Sequence, residues 1–395
     1  MHRGSILVAA IAITSVAASG VLRSQGQKPL TIYSIDVEGG QSTLFVSPSG
    51  ESMLVDAGLP GARDADRIAA AAKAAGLTQI DYVVVTHYDA DHVGGVKDVG
   101  ERIPIKSFVD HGPRIPGEAF GAPQRGGAAA AGPSAAAPGG GTANAPAGGG
   151  RGSAFSNERI DAAYAEARAK GRHIEVKVGD KVPLTGLDVQ VVSAQGDVLT
   201  KPLPGAGAPN PLCQSYTAKD VDKTENVRSV GLVITFGRFR MLDLGDLTWT
   251  KEHDLVCPNN LLGTVDLYLT THHGLAISGP PVIVHTLRPR VALMNNGPRK
   301  GGSRETWTTL KSSPGLEDIW QLHYSVPRPP NPSFHEALDT GGKEYNSPDN
   351  FIANLDEAAA HTPAHAIKVS AQQDGGFTMT NPRTGFSKEY KARTR

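Results

Sequence analysis

Two imidazoles and two carboxylates lie within six residues of one segment, THYDADHVGG: His87, Asp89, Asp91 and His92. Imidazole nitrogens and carboxylate oxygens are ligands that divalent metals take in proteins. Residues i and i+2 of an extended segment share a side, so His87 and Asp89 can bind one metal. Asp91 and His92 follow a turn and can face a second ion. An ordinary polar loop is the alternative, but four such side chains in six residues favour a metal site.

Two further clusters repeat this pattern of apolar strand, ligand and glycine. Asp246 ends the strand in MLDLGDLTW, and His272 and His273 end the strand in DLYLTTHHGL. Asp246 is predicted to bridge two cations, since each carboxylate oxygen can coordinate one. The alternatives are a helix N-cap for Asp246 and a core or supporting role for one histidine. Asp91 is predicted to orient the attacking hydroxide or accept its proton. The predicted cofactor is one or two Zn²⁺, with Mn²⁺ or iron as alternatives.

The elements that position these residues alternate between strand and helix patterns. DYVVVT at 81–86 is a continuous apolar run, typical of a strand buried on both faces. Three β-branched segments precede it within 30–57, followed by a helical stretch that ends at Gly76. The alternation predicts an α/β (α+β) fold with helices packed on sheets. Further strands are predicted at 174–178, 187–193, 229–236, 238–245, 265–271 and 290–296, with a helix over 157–170 and a hairpin around QQDG near the C-terminus.

The N-terminus is typical of an export signal. A short positive start, an apolar run and small residues indicate a signal peptide over 1–26, with an uncleaved anchor as the alternative. A hydrolase domain is predicted over 27–325, interrupted by a Gly/Ala/Pro-rich insertion over 113–152 that lacks large apolar residues and is predicted to be disordered. Loops and a hairpin over 326–395 are expected to pack on the same domain. The predicted location is periplasmic or extracellular, with no transmembrane span beyond the signal.

Composition restricts the class of partner. Lys and Arg number 39 and Asp and Glu number 39, so the formal net charge is zero. The chain has no basic stripe, which argues against a nucleic-acid patch and leaves a small-molecule or phosphodiester substrate. Cys213 and Cys257 are either one disulfide or two buried thiols, and neither is given a catalytic role. The sequence does not determine an oligomeric state.

Four separated motifs resemble the metallo-β-lactamase superfamily, specifically its extracytoplasmic ComEC-type branch. They are IDVEGGQSTLF with LVDAG, VTHYDADHVGG with its HxDxDH order, ENVRSVGLVITFGRFRMLDLGD, and THHG. The resemblance runs from about Leu30 to Asn296, interrupted by the insertion. It implies an αββα metallo-β-lactamase sandwich with metals at one edge, and hydrolysis by a metal-bound hydroxide.

The resemblance also assigns roles to individual residues. One metal site matches His87, Asp89 and Asp246, and the other matches Asp91, His92, Asp246 and one of the His272/His273 pair. Asp56 and Asn226 match positions behind the ligands.

The chain departs from the family's pattern at several positions. Asp89 stands where the common motif has histidine, and Asn226 stands where a third-motif histidine is usual. His111 lies between the motifs and is an alternative donor. A Gly-His-Pro that follows the last strand in ComEC-type chains is also absent from NNGPRKGGSRETW. These departures predict that one site is weak or holds a metal that accepts oxygen ligands, such as manganese. No channel portion accompanies the domain, so DNA uptake is not implied.

Three functions compete at this point. A metal-dependent phosphodiesterase or nuclease is favoured by the carboxylate-rich site and the ComEC-type resemblance. A hydrolase of lactones, β-lactams or other acyl esters is supported by the broader fold. A non-catalytic metal-binding protein is the third, because the third-motif histidine is missing.

Two groups of residues after the last predicted strand have less specific roles. Three cations follow that strand: Arg299, Lys300 and Arg304. Lys300 and Arg304 are predicted to bind a substrate phosphate or carboxylate, with a solvated loop as the alternative. The later aromatic residues are interpreted as core packing: Trp307, Trp320, His323 and Tyr324.

Overall fold

The computed structural model describes Met1 and residues 28–114, 156–327, 341–358 and 360–393. The predicted export signal, apart from Met1, and the predicted insertion from residue 115 onward lie outside the described residues. Within the described ranges, no helix is both long and apolar enough to cross a bilayer.

The first of two sheets has nine strands in the order β18-β17-β16-β1-β2-β3-β4-β5-β6. Strands β3 to β6 are parallel to one another, and the C-terminal strands β16 to β18 extend the antiparallel side by pairing through β1. The strands are β1 Leu30–Ser34, β2 Thr43–Val46, β3 Ser52–Val55, β4 Ile80–Val84, β5 Ile105–Asp110, β6 Arg172–Glu175, β16 Ile367–Ala371, β17 Phe377–Asn381 and β18 Phe386–Tyr390.

The second sheet has the order β15-β14-β13-β12-β11-β10-β8-β7, with β9 paired to β8. Strands β11 to β15 are parallel. The strands are β7 Lys181–Val182, β8 Asp188–Ala194, β9 Asp197–Val198, β10 Gly231–Phe236, β11 Phe239–Asp243, β12 Leu267–Leu269, β13 Val291–Met294, β14 Asp318–His323 and β15 Ile352–Asn354.

Helices cover the outer face of each sheet, so the layers are helix, sheet, sheet, helix. The helices are α1 Ala62–Ala74, α2 Ala90–Val93, α3 Val96–Gly100, α4 Asn157–Arg168, α5 Trp249–Val256, α6 Pro281–Leu287 and α7 Arg304–Lys311. Successive residues of one strand pack on opposite faces of the sheet. Phe45 packs in the core between the two sheets, whereas Leu44 packs under α1 to α4. Met241 and Leu242 divide in the same way between the central core and the α5–α7 layer. Both faces of each sheet are therefore apolar, as a four-layer sandwich requires.

The predicted fold class is confirmed as a mixed α/β sandwich of two sheets. Part of the region that was expected to form loops before the C-terminal hairpin is regular structure, because β15 lies there along with 3₁₀ turns at 343–345 and 349–351. Strand β14 was also missed. Its inner residues Trp320 and Leu322 are buried, but polar Gln321 and His323 alternate with them and obscured the strand pattern.

The ends of parallel strands place polar residues at one edge of the sandwich. Parallel neighbours end on the same side, so residues that follow them are brought together. Asp56 follows β3, His87 follows β4, Asp246 follows β11 and His272 follows β12. The backbone N–H of Val230 donates to the Thr86 carbonyl at 2.8 Å and joins the two sheets at this edge.

Cys213 and Cys257 form a disulfide, which resolves the alternatives that the sequence left open. Cys213 lies in a 3₁₀ turn over Pro211–Ser215, and Cys257 directly follows α5. The two cysteines are 44 residues apart in the sequence, and the segment between them includes β10 and β11.

Glu252 on α5 is fully buried under the loop that follows His273. Its Oε2 accepts a hydrogen bond from the Gly279 N–H at 2.7 Å, while Oε1 has no hydrogen-bond partner. Burial raises the pKa of this carboxyl to about 8, against the opposing effect of the Gly279 hydrogen bond. The folded protein therefore holds Glu252 protonated at neutral pH.

Removing the disulfide is expected to destabilise the fold. A Cys213→Ser/Cys257→Ser variant should lose about 2–4 kcal/mol of unfolding free energy, because closing a long loop restricts the unfolded chain. Urea denaturation of this variant and of wild type measures the loss. Dithiothreitol should lower the wild-type midpoint and leave the variant unchanged. Equal stability of the two proteins would contradict the bond.

Glu252→Gln is expected to change how stability depends on pH. The unfolded carboxyl titrates near 4.5 and the folded one near 8, so the folded state binds more protons between these values. Wild-type stability should therefore fall as pH rises from about 5 to 8, whereas the amide removes this component. Thermal melts across that range should show the variant gaining relative to wild type. A constant difference between the two would refute the raised pKa.

Candidate metal centre

Four side-chain atoms converge at the edge where the two sheets meet. They are Asp91 Oδ2, His92 Nε2, Asp246 Oδ2 and His273 Nε2. His92 Nε2 lies 3.5 Å from Asp91 Oδ2, 3.2 Å from Asp246 Oδ2 and 3.3 Å from His273 Nε2. His273 Nε2 lies 3.4 Å from Asp91 Oδ2 and 3.3 Å from Asp246 Oδ2. We call this set the four-donor group.

The spacing of Asp91, His92 and His273 fits a divalent cation, and so does that of His87, His92 and Asp246. A tetrahedral ion with bonds of about 2.0–2.2 Å holds its ligands about 3.3–3.6 Å apart. The five separations span 3.2–3.5 Å. His92 and His273 are fully buried. Two nitrogens and two carboxylate oxygens suit Zn²⁺, and also Mn²⁺ or iron.

Asp56 holds His92 from behind. His92 Nδ1 lies 2.7 Å from Asp56 Oδ2, which also accepts the Thr86 hydroxyl at 2.7 Å. With Nδ1–H donating to this carboxylate, Nε2 is the ring nitrogen of His92 that faces the four-donor group. Asp56 has a φ of 59°, a region that costs a residue with a side chain about 1–2 kcal/mol. The structure thus places Asp56 where the resemblance expected an orienting residue.

His87 and Asp89 lie on the other side of Asp246. His87 Nε2 is buried without a hydrogen-bond partner and lies 3.7 Å from Asp89 Oδ2. Asp246 Oδ1 is also buried without a partner, and His87, His92 and Asp246 form a second group with metal-ligating spacing. Asp246 therefore has one oxygen in the four-donor group and a second oxygen available to a neighbouring ion, as its predicted bridging role requires.

The adjacent histidines have different positions. His273 belongs to the four-donor group, while His272 Nε2 lies 3.2 Å from Asp246 Oδ2 and its Nδ1 lies 3.4 Å from Ser278 Oγ. Both residues are left-handed, with φ of 55° and 58°. The His272 N–H donates to the Gly245 carbonyl at 3.0 Å, which anchors this strained turn beside Asp246. Burial lowers the pKa of His272 to about 3, so its imidazole is neutral.

Carboxylate charge dominates the electrostatics of the site. Burial opposes ionisation of Asp91, but Lys300 and His92 hold its pKa well below the usual value. Burial likewise opposes ionisation of Asp246, whose pKa the imidazoles His272 and His273 hold well below normal. The pKa of His92 is raised well above its usual value despite burial, because Asp246, Asp91 and Asp56 surround it. Asp91 is therefore suited to bind a cation and poorly suited to accept a proton.

The loop after β1 supports the four-donor group. A Cβ on Gly40 would lie 2.4 Å from the Asp91 carbonyl, so only glycine allows this approach. The Gln41 N–H donates to that carbonyl at 3.1 Å, and Gln41 Nε2 donates to the buried Asp243 carboxylate at 3.0 Å. Burial raises the pKa of Asp243 to about 7. Sequence reasoning had interpreted this loop as a plain turn and missed both Gln41 and Asp243.

Of the three predicted cations, Lys300 contacts a residue of the donor group. Its ammonium donates to Asp91 Oδ2, and its side chain is 36% exposed at the edge of the donor group. Arg299 pairs with exposed Glu357 at 2.6 Å. Arg304 lies over the Tyr345 ring at 4.9 Å. The assignment of Arg304 to substrate binding stays a prediction.

His111 is not a member of the metal-ligating groups found among the described residues. His111 Nε2 lies 2.9 Å from Glu225 Oε1, and its ring packs 4.7 Å from the Tyr88 ring. Asn226 lies in a 3₁₀ turn over Glu225–Arg228, just before β10, and its Oδ1 is buried without a hydrogen-bond partner. His111, the alternative donor that the sequence left open, thus lies in a buried pair with Glu225.

A separate cluster was missed by sequence reasoning. It contains Asp36, Glu38, His323 and His361, and its ligand atoms also have metal-ligating spacing. His323 is buried, but in this polar cluster and not in the apolar core that was predicted for it. The signal was present in IDVEGG, where two carboxylates follow a strand and precede glycines, as in the recognised motifs.

Comparison with a family model matches residues 35–179 to the metallo-beta-lactamase superfamily. The matched range contains the His87–His92 motif and ends before Asp246 and the histidine pair. No curated protein gave a match.

Solved structures to which this chain is similar include three enzymes of different kinds. CmlA, a diiron β-hydroxylase from Streptomyces venezuelae, is 14% identical with a TM-score of 0.36, over 74% of this chain and 48% of that one. Tm1679, a metal-dependent hydrolase of the beta-lactamase superfamily, is 14% identical with a TM-score of 0.40, over 74% and 95% of the two chains. A diphosphatase of the PhnP family is 11% identical with a TM-score of 0.36, over 73% and 94%.

The chain spans less than half the length of CmlA, and at these identities none of the three assigns a role to a residue. Residues 35–179 are similar to the metallo-beta-lactamase superfamily, and the chain folds as a two-sheet α/β sandwich that is consistent with the fold of that superfamily.

Proposed function

We propose that this protein is an exported, metal-dependent hydrolase of phosphodiester-type substrates, from the ComEC-type branch of its superfamily. The observation that carries the proposal is the four-donor group, with its separations of 3.2–3.5 Å, beside the unpartnered His87 Nε2. His92 Nε2 and His273 Nε2 lie within hydrogen-bonding distance of each other at 3.3 Å, and a shared cation would engage both nitrogens together with the neighbouring carboxylates.

The cofactor would be held by residues already in place. Asp91, His92 and His273, which have metal-ligating spacing, would hold one divalent cation beside Asp246. His87 and Asp246, with Asp89 close to His87, would contribute to a second. Divalent cations at such sites supply Lewis acidity and make water a stronger acid, which is what hydrolysis at neutral pH needs.

Other residues of the chain orient the proposed metal ligands and supply a positive charge beside them. Asp56 fixes the ring of His92, and the loop at Gly40 and Gln41 fixes Asp91. Lys300 is the cation at the exposed side of the donor group, where it can bind an anionic oxygen of the substrate. This positive charge favours a phosphodiester over a neutral acyl ester.

Export is supported by the signal-like N-terminus and by the Cys213–Cys257 disulfide. Disulfides form and persist in oxidising compartments such as the periplasm and the extracellular space.

Hydrolysis of bis(p-nitrophenyl) phosphate by protein loaded with Zn²⁺ or Mn²⁺ tests the proposal. Asp246→Ala should lower kcat/KM at least about a hundredfold, since several kcal/mol of transition-state stabilisation depend on the bound cation. Asp254→Ala, an exposed residue of α5, is the matched control and should retain activity. Turnover of nitrocefin or an acyl lactone in place of the diester would instead indicate an acyl hydrolase. Bound metal with no turnover of any of these substrates would indicate a non-catalytic protein.

Lys300→Met is expected to weaken binding of anionic substrates. Loss of one charged hydrogen bond costs about 1.5–3 kcal/mol, so KM for the diester should rise about tenfold or more. KM for neutral p-nitrophenyl acetate should change little, and metal content should be retained. Arg299→Met, which removes an exposed cation one residue away, serves as the control. Equal effects on both substrates would exclude a role for Lys300 in binding the anion.

A further inference from the structure

Outside the four-donor group, a buried set of ionisable side chains joins three parts of the chain. Asp36 and Glu38 follow β1, His323 ends β14, and His361 precedes β16. We call these four residues the Asp36 cluster, and we propose that it is a second, independent site for a divalent cation. This inference does not rest on the proposed hydrolase function.

The donor atoms of the Asp36 cluster are close enough to share one ion. His361 Nε2 lies 3.0 Å from Glu38 Oε1 and 3.1 Å from Asp36 Oδ2. His323 Nε2 lies 2.7 Å from Asp36 Oδ1 and 3.9 Å from Glu38 Oε2. These separations bracket those of the four-donor group, and two nitrogens with two carboxylates repeat its composition.

The tautomer of His361 points its lone pair into the cluster. Its Nδ1 lies 3.1 Å from the Pro363 carbonyl, which can only accept, so Nδ1 carries the proton. If the ring is neutral, Nε2 then carries a lone pair that faces two carboxylate oxygens. That arrangement is repulsive unless a positive charge lies between them. A backbone carbonyl behind Nδ1 is also the usual support of a metal-binding histidine.

Burial makes it energetically unfavourable to leave polar atoms of the Asp36 cluster without hydrogen-bond partners. The side chains of Asp36, Glu38, His323 and His361 are each at most 4% exposed. Glu38 Oε2 and His361 Nε2 have no hydrogen-bond partner. Unsatisfied buried polar atoms cost about 1–3 kcal/mol each, more when charged.

Arg67 compensates only part of the charge. Its Nη1 donates to Asp36 Oδ2 at 2.8 Å and to Glu38 Oε1 at 3.1 Å. Two carboxylates and one guanidinium leave a net charge of −1 when both imidazoles are neutral. Arg67 occupies one lone pair of each of these oxygens and leaves others for a cation.

A proton on His361 is the competing source of positive charge. It would bond to one carboxylate oxygen and would leave Glu38 Oε2 without a partner. A metal ion engages all four side chains at once, so it satisfies the donors that a proton leaves unpaired. The mixed nitrogen and oxygen donors suit Zn²⁺ best among the common divalent ions, followed by Mn²⁺.

The location of the Asp36 cluster gives the ion a structural consequence. Glu38 is followed by Gly40 and Gln41, which pack against Asp91 of the four-donor group. His361 lies in the segment between β15 and β16. A cation would therefore tie this C-terminal segment to the loop that supports the first metal centre.

The test uses the full chain with the first centre disabled by His92→Ala/Asp246→Ala. After loading with Zn²⁺ alone and gel filtration, elemental analysis should find about one equivalent in this background. Adding His361→Gln should remove it, whereas adding His365→Gln, in the same segment but outside the cluster, should retain it. Because the background lacks the first centre, this result is independent of whether the protein is a hydrolase.

Hydrogen exchange provides a second measurement that needs no change in the cluster. Zn²⁺ should slow exchange of amides at 352–365 in the His92→Ala/Asp246→Ala background at least about tenfold, and chelation should reverse the effect. No retained zinc in a folded background, or zinc retained after His361→Gln, would overturn the proposal. Unchanged exchange on adding Zn²⁺ would do the same, and would leave a proton on His361 as the explanation.

Discussion

Buried carboxylate charge at the shared edge of the two sheets is the constraint on which the rest of the site depends. Asp56, Asp91 and Asp246 lie around one imidazole, His92, and Lys300 forms an ion pair with Asp91. Such a concentration of negative charge is unfavourable away from water unless cations compensate it. The raised pKa of His92 and the lowered pKa values of Asp91 and Asp246 have the same cause, because each carboxylate and its cationic neighbours stabilise one another's charged forms. A divalent cation would also compensate this negative charge.

The scaffold holds these charges together through contacts that a less constrained backbone would not make. His272, His273 and Asp56 adopt left-handed conformations that are unfavourable for residues with side chains. The turn at His272 is anchored on Gly245, and the loop at Gly40 is anchored on Asp91. The surrounding cores on both faces of each sheet supply the stability that offsets this strain.

Much of the fold and of the site was predictable because both depend on local patterns. Apolar strands followed by ligands and glycine identified His87–His92, Asp246 and the histidine pair, and the structure brings them together. What could not be predicted depends on distant contacts. Nothing local distinguishes His273 from His272, and only the fold pairs His111 with Glu225. The Asp36 cluster was missed because His323 and His361 are remote in sequence from IDVEGG, and β14 was missed because polar residues interrupt its pattern.

The most direct test of the central claim is a crystal structure of zinc-loaded protein with anomalous diffraction measured on both sides of the zinc absorption edge. The account predicts a strong anomalous peak bonded to His92 Nε2, His273 Nε2 and the Oδ2 atoms of Asp91 and Asp246, with bonds of about 2.0–2.2 Å. Asp56 should remain hydrogen-bonded to His92 Nδ1. If these four atoms are instead hydrogen-bonded to water or to one another, with no anomalous peak between them, the site does not bind the metal. The proposed hydrolytic chemistry would then have no basis.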